Sequence, residues 1–250
     1  MPWSVVQHKQ AGGTTAAQSS LATTLASPLT AGNTVAVLVS MGQVPPAAGV
    51  TDNQGNTYTR RQLGSAADST SARVAIYTAY NVASNGGACT ITLTPSGTAF
   101  MLFDAVELSP GVAGGSVSVD VSGGGGSGTA TTSPATASVT STTTNGIALA
   151  AMSNLSNINQ PYTTTAAGWT QLDADGNGSS DQTGAFSYRL LGAAGAQACT
   201  WSTGTDAGGY DACIVVLTVT GGGGGGGFSP KERRARNGYG TRAGARTGGP

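Results

Sequence analysis

Residues 33–42 read NTVAVLVSMG, and residues 145–154 read NGIALAAMSN. Each is an apolar run of strand length, closed at both ends by polar or glycine residues, and each therefore predicts a buried strand. The likeness extends outward. Tyr58-Thr59 recurs as Trp169-Thr170, and residues 75–93 (AIYTAYNVASNGGACTITL) return as residues 185–203 (AFSYRLLGAAGAQACTWST), which sets Cys89 against Cys199. The offsets are 112, 111 and 110 residues. A period of that length marks a duplicated domain, because solenoid units run ~20–50 residues.

Further strands are expected on either side of these runs. The first half predicts strands over 3–7, 21–29, 34–41, 57–63, 73–82, 88–94 and 99–108. The second predicts them over 116–121, 136–142, 147–153, 168–173, 184–191, 198–202 and 210–220. In the stretch CTITLT, Cys89, Ile91 and Leu93 alternate with threonines, the pattern of a half-buried antiparallel strand. Segments 88–94 and 99–108 are expected to form a hairpin around Pro95-Ser96-Gly97. The buried stripe is expected to hold Val35, Val37, Ile76, Cys89, Ile91 and Leu93, with Ile147, Leu149, Phe186, Cys199 and Trp201 as their counterparts. Turns rich in Gly, Asn, Asp and Pro separate the segments, and no stretch has helical period with caps. The fold class is thus all-β: two tandem antiparallel β-sandwich, jelly-roll-like lobes from an internal duplication, plus a flexible basic C-terminal tail. The lobes are assigned to residues 1–112 and 113–220, a poly-Gly linker to 221–227 and the tail to 228–250. The glycine-rich run 123–128 falls after the first strand of the second lobe, where the first lobe has Ala11-Gly12-Gly13-Thr14.

Charged residues are 9% of the 250, against roughly 25% in an ordinary soluble domain. The formal net charge of zero conceals a division. Residues 1–220 carry five Lys/Arg against ten acids, a net −5, whereas residues 221–250 carry six against Glu232, a net +5. Lys231, Arg233, Arg234, Arg236, Arg242 and Arg246 supply that charge, and they hang from seven glycines that behave as flexible coil. Such an arm reads as a docking element, or as a solvated terminus that only aids solubility. Arginines with Gly and Tyr239 also fit phosphates and stacked bases, but the acidic body disfavours nucleic acid and favours an acidic protein surface. Met1-Pro2-Trp3 leads into SVVQH without the n- and h-regions of a signal peptide. No apolar run is long enough to span a membrane.

The inventory for catalysis is poor. His8 is the only histidine, so any nucleophile–histidine arrangement must use it. Glutamates number two, Glu107 and Glu232, and Glu107 between Val106 and Leu108 is expected on the wet face of its strand. A two-carboxylate mechanism would need aspartates such as Asp104, Asp120 or Asp211. The reading is accordingly not an enzyme. Calcium is the one cofactor the chain suggests. Asp173, Asp175, Asn177 and Asp181 fall at positions 1, 3, 5 and 9 of a calcium loop with Gly178 at position 6, but Gly184 stands where the bidentate acid belongs. An exposed Asp/Gly/Asn turn explains the same residues. Cys199 and Cys213 flank a turn near Asp206, and a disulfide and a reduced core pair both fit that spacing.

NGIALAAMSN, AAGWTQL, AFSYRLLGAAGAQACTWS and DACIVVLTV follow one another in the second half. This order resembles a β-sandwich module of phage virion proteins (tail fibres and capsid-associated proteins) and of some bacterial secreted proteins. The first half resembles a sister version, with VTDNQGNTYT in place of the Gly-Trp-Thr segment. The resemblance covers about residues 1–220 and transfers no catalytic residue. It implies a virion structural protein assembled in the host cytoplasm, most simply a capsid decoration or head-fibre component. Other virion proteins of the capsid or tail would be its partners, and self-association is compatible with it. The alternatives are a tail-fibre or receptor-binding component, or an extracellular carbohydrate-binding module that meets cell-surface glycan through Tyr58, Tyr162, Trp169, Tyr188, Trp201 or Tyr210.

Overall fold

The computed structural model describes residues 3–12, 16–65, 73–112, 114–127, 131–154, 162–175, 182–203, 209–221 and 249. They form seventeen strands and no helix. The first half holds β1 (Ser4–Ala11), β2 (Leu21–Thr24), β3 (Thr34–Met41), β4 (Val50–Asp52), β5 (Thr59–Leu63), β6 (Arg73–Ala79), β7 (Thr90–Leu93) and β8 (Met101–Ser109). The second holds β9 (Ser116–Ser127), β10 (Val139–Ser141), β11 (Gly146–Asn154), β12 (Thr163–Thr164), β13 (Thr170–Asp175), β14 (Gly184–Leu191), β15 (Gly195–Gln197), β16 (Trp201–Ser202) and β17 (Tyr210–Thr220).

Each half has a five-stranded antiparallel sheet, ordered β1-β8-β3-β6-β5 in the first and β9-β17-β11-β14-β13 in the second. The two orders correspond strand for strand. A smaller layer, β2-β7-β4, covers the first sheet. The second sheet is covered by two short ladders, β10-β15 and β12-β16, and the bridge Ala135–Thr200. Successive strands β1 to β4 alternate between the large and small sheets, as β6, β7 and β8 do, which is the jelly-roll habit. The expected hairpin is corrected here. β7 pairs with β2 and β4, while β8 pairs with β1 and β3, so the Pro95-Ser96-Gly97 turn carries the chain from one layer to the other.

Three apolar layers result. Val35, Val37, Val39, Tyr77 and Phe103 pack inward against Leu25, Cys89, Ile91 and Leu93. Ala148, Ala150, Met152, Ile214 and Val216 pack against Tyr162, Cys199 and Trp201. Between them the outer faces of the two five-stranded sheets meet. Trp3, Leu38, Val74, Ile76, Leu102, Val106 and Leu108 from the first half touch Ile147, Leu149, Phe186, Cys213, Val215 and Leu217 from the second. The halves thus share a buried seam in a four-layer stack, and β3 and β11 are buried on both faces.

The seam refines the expected stripe. Every residue assigned to it is buried, but Ile76, Ile147, Leu149 and Phe186 line the seam rather than the inside of their own sandwich. Val35 faces its own core whereas Ile147 faces the seam, so the 112-residue offset sets opposite faces against each other. A slip of one residue exchanges the faces of a strand. Because both faces of β3 and β11 are apolar, their composition does not betray the slip. Cys89 and Cys199 each lie inside their own sandwich. The Cys89 carbonyl accepts the Leu25 N–H, and that of Cys199 accepts the Thr136 N–H.

Two more expectations change. β9 continues through Gly123, Gly124, Gly125 and Gly126, which pair with Ile214, Cys213, Ala212 and Asp211. A Cβ on Gly124 would lie 2.8 Å from the Ser65 Cβ and 3.1 Å from the Leu63 carbonyl, so close approach of the first half requires glycine there. Glu107 is fully buried, not on a wet face. It accepts hydrogen bonds from Asn33 Nδ2 (2.6 Å), Gln7 Nε2 (2.7 Å) and the Thr30 N–H (2.8 Å), partners that make its burial tolerable.

Candidate functional site

Asp104 interrupts the apolar row that β8 presents to the seam. Its neighbours on that face, Leu102 and Val106, belong to the shared core, yet Asp104 is itself 0% exposed. Two β-bulges bring companions to it. One, between Val5 and Gln7, shifts β1 so that His8 lies opposite Val106 and Gln10 opposite Asp104. Without it, alternation would leave His8 on the other face. The second, between Gln171 and Asp173, shifts β13 so that Asp173 lies opposite the seam residue Phe186. Re-aiming a side chain is the usual consequence of a bulge.

His8 Nδ1 and Asp104 Oδ2 are 3.2 Å apart, and one ligand atom each from His8, Asp104 and Asp173 all lie within 4.8 Å of one another. The His8 side chain is 36% exposed and Asp173 half-buried, so the cluster opens to solvent at one end. Asp104 Oδ1 and Gln10 Nε2 are buried and find no hydrogen-bond partner. The electrostatics are those of a crowded acidic pocket. The hydrogen bond to Asp104 raises the His8 pKa, opposed by burial and aided by the charges of Asp104 and Asp173. Burial raises the Asp104 pKa, partly offset by His8, while the like charge of Asp173 pushes it further up.

An aspartate on Nδ1 of a histidine is also half of a nucleophile-activating array. Among the described residues no hydroxyl or thiol hydrogen-bonds to the His8 ring. The three cysteines are buried and unpaired, and burial pushes Cys89 and Cys199 up to about 12 and Cys213 well above its ordinary value. Such thiols are poor nucleophiles at neutral pH. Cys199 lies inside the second sandwich and Cys213 on the seam face of β17, so the five-stranded sheet separates them and the disulfide compatible with their spacing is not formed. What the cluster offers is a proton held between His8 and Asp104, and one nitrogen and two carboxylate donors for a cation.

Other sequence candidates are dispersed. Asp173 and Asp175 are strand residues of β13, opposite Phe186 and Gly184, while Asn177 and Asp181 lie outside the described residues. Lys231, Arg233, Arg234, Arg236, Arg242 and Arg246 lie outside them as well. Asp120 accepts hydrogen bonds from Ser141 and Thr142; burial tends to raise its pKa, but these bonds prevail and lower it. Asp211 accepts the Val74 N–H across the seam at 3.1 Å. Of the proposed glycan-binding aromatics, Tyr58, Tyr162, Trp169 and Trp201 are buried, and Tyr188 and Tyr210 are partly so. Sequence reading missed the His8–Asp104–Asp173 group because its members are far apart in the chain and both bulges are silent in composition. The one usable signal was an aspartate amid the apolar residues of MLFDAVELS. No protein-family model matches the chain, and no curated protein or solved structure shows significant similarity to it.

Proposed function

We propose that the protein is a non-enzymatic structural component of a bacteriophage virion, a capsid decoration or head-fibre accessory protein that docks onto a larger assembly through its basic segment 228–250. The observation that carries this reading is the division of charge, net −5 over residues 1–220 and net +5 over residues 221–250. Six cations within reach of an acidic protein surface give an attraction that salt screens over ~8 Å at physiological strength. The all-β stack supports the same reading. Two sandwiches joined through an apolar seam make a weakly charged body suited to display on a particle surface.

The test is particle association. Deleting residues 221–250 should leave the melting curve of the body unchanged but lose the protein from purified particles, and moderate salt should elute the intact chain. Truncated protein that still decorates particles at full occupancy would move the contact to the sandwiches and refute docking through the basic segment.

A further inference from the structure

We infer that His8, Asp104 and Asp173 form a binding site for a divalent transition-metal ion, with Zn²⁺ the best fit, and that the ion clamps the two sandwiches together across the seam. The donor set is one imidazole nitrogen and two carboxylate oxygens. Zn²⁺ takes such ligands in tetrahedral geometry at about 2.0–2.2 Å, which places adjacent donors about 3.3 Å apart. His8 Nδ1 and Asp104 Oδ2 already stand at 3.2 Å. Ca²⁺ and Mg²⁺ want six or more oxygens and suit an imidazole poorly.

Geometry beyond the donor set supports the inference. Asp104 is wholly buried with Oδ1 lacking any hydrogen-bond partner, a costly state for a carboxylate whose charge a cation bound at Oδ2 would offset. Both flanking ligands are turned onto this face by β-bulges in strands of different halves. The exposed side of His8 leaves an entry path and room for water as fourth ligand. On binding, Nδ1 must present its lone pair, so the imidazole keeps its proton on Nε2 and the Asp104 hydrogen bond gives way to two metal bonds. β1 and β8 of the first half are then tied to β13 of the second.

The test uses the full chain with Zn²⁺, Co²⁺ and Ca²⁺ salts, as wild type, His8→Gln and Asp173→Asn, two near-isosteric changes outside the buried position. Zn²⁺ at about a hundredfold excess over its Kd should raise Tm by roughly 5–10 °C. Co²⁺ should give the intense visible bands of a tetrahedral site, bleached by Zn²⁺. Each variant should still melt cooperatively without metal, and should require at least tenfold more metal for the same rise above its own metal-free Tm. Absence of any Zn²⁺ shift in the wild type at millimolar metal would overturn the assignment. So would an equal shift in both variants, which would place the ion elsewhere. A response to Ca²⁺ alone, lost in Asp175→Ala, would return Asp173 to a calcium loop and overturn it too.

Discussion

Replacing Phe186 by alanine tests whether the two sandwiches are one cooperative body. Phe186 is fully buried on β14 and faces the seam, among side chains of both halves. Truncating a buried phenylalanine costs about 3–5 kcal/mol, the transfer term plus the cavity left behind. For a chain of this size each kcal/mol lowers Tm by ~2–4 °C, so the fall should be roughly 6–20 °C. The consequence that discriminates is where the loss appears. Fifteen buried side chains line the seam, eight from the first half and seven from the second, and all but Ala36 and Ala151 are larger than alanine. At ~1.5–3 kcal/mol for each large one buried, their gross contribution exceeds the 5–15 kcal/mol by which a typical domain is stable. On that arithmetic, exposing this face is expected to unfold either half. Scanning calorimetry of Phe186→Ala should therefore show one transition, shifted as a whole, with calorimetric and van't Hoff enthalpies still equal. A thermogram that splits, with a first-half transition at its wild-type temperature, would refute the shared core.

Gly64→Ala should be severe, because a Cβ there would lie 2.0 Å from Asp211 Oδ2, which accepts the Val74 N–H across the seam; overpacking costs about 1–3 kcal/mol before the displaced carboxylate is counted, and a denaturant midpoint unchanged from wild type would contradict this. Glu107→Ala should lose about 3 kcal/mol, since it leaves Asn33, Gln7 and the Thr30 N–H without their acceptor; equilibrium urea unfolding reads it directly. Without added metal, stability should fall as pH rises from about 6.5: the folded-state pKa of His8 is raised, so its contribution is complete below the unfolded value and disappears as pH climbs through the folded one. The raised pKa of Asp104 acts with the same sign, from lower pH upward, and the His8→Gln variant should show a flatter profile above about pH 6.

The strands were legible because their signals are local. All fourteen expected segments overlap a strand, and CTITLT alternates in the structure as it does in the sequence: Cys89, Ile91 and Leu93 inward, Thr90 and Thr92 half-buried. The short strands β4, β12 and β15 fall in no expected segment. What composition could not convey was the partner of each face. In TVAVLVSM both parities are apolar, which predicts full burial but not which parity meets which layer. Glu107 was misplaced for the same reason: on a strand covered on both sides there is no wet face, and the acid needed Asn33, Gln7 and Thr30 from distant segments. The glycines of β9 read as loop because close approach by Leu63 and Ser65 is a tertiary fact. The histidine–aspartate cluster was hidden most completely, since two single-residue bulges decide which way His8 and Asp173 face.

Polar groups elsewhere on the seam clarify why that cluster stands apart. Two apolar sheet faces slide and rotate against each other at little cost, and directional bonds at the rim select one arrangement. Gln182 Nε2 donates to Ser40 Oγ at 2.6 Å and to Ser153 Oγ at 2.9 Å, the Ser40 hydroxyl donates to the Thr183 carbonyl, and Ser122 Oγ donates to Gln62 Oε1 at 2.8 Å. Each of these joins a residue of one half to one of the other, or braces one that does, and each has a partner in place. Registry alone would be served by more contacts of this satisfied kind. Asp104 is different: it is fully buried, keeps one oxygen without a partner, and carries a charge that burial and Asp173 both disfavour. Trp3 Nε1, Tyr80 OH and Gln10 Nε2 also lack partners at the seam, but they are neutral; Asp104 is the carboxylate among these atoms, and the species that would complete an anionic pocket is a cation.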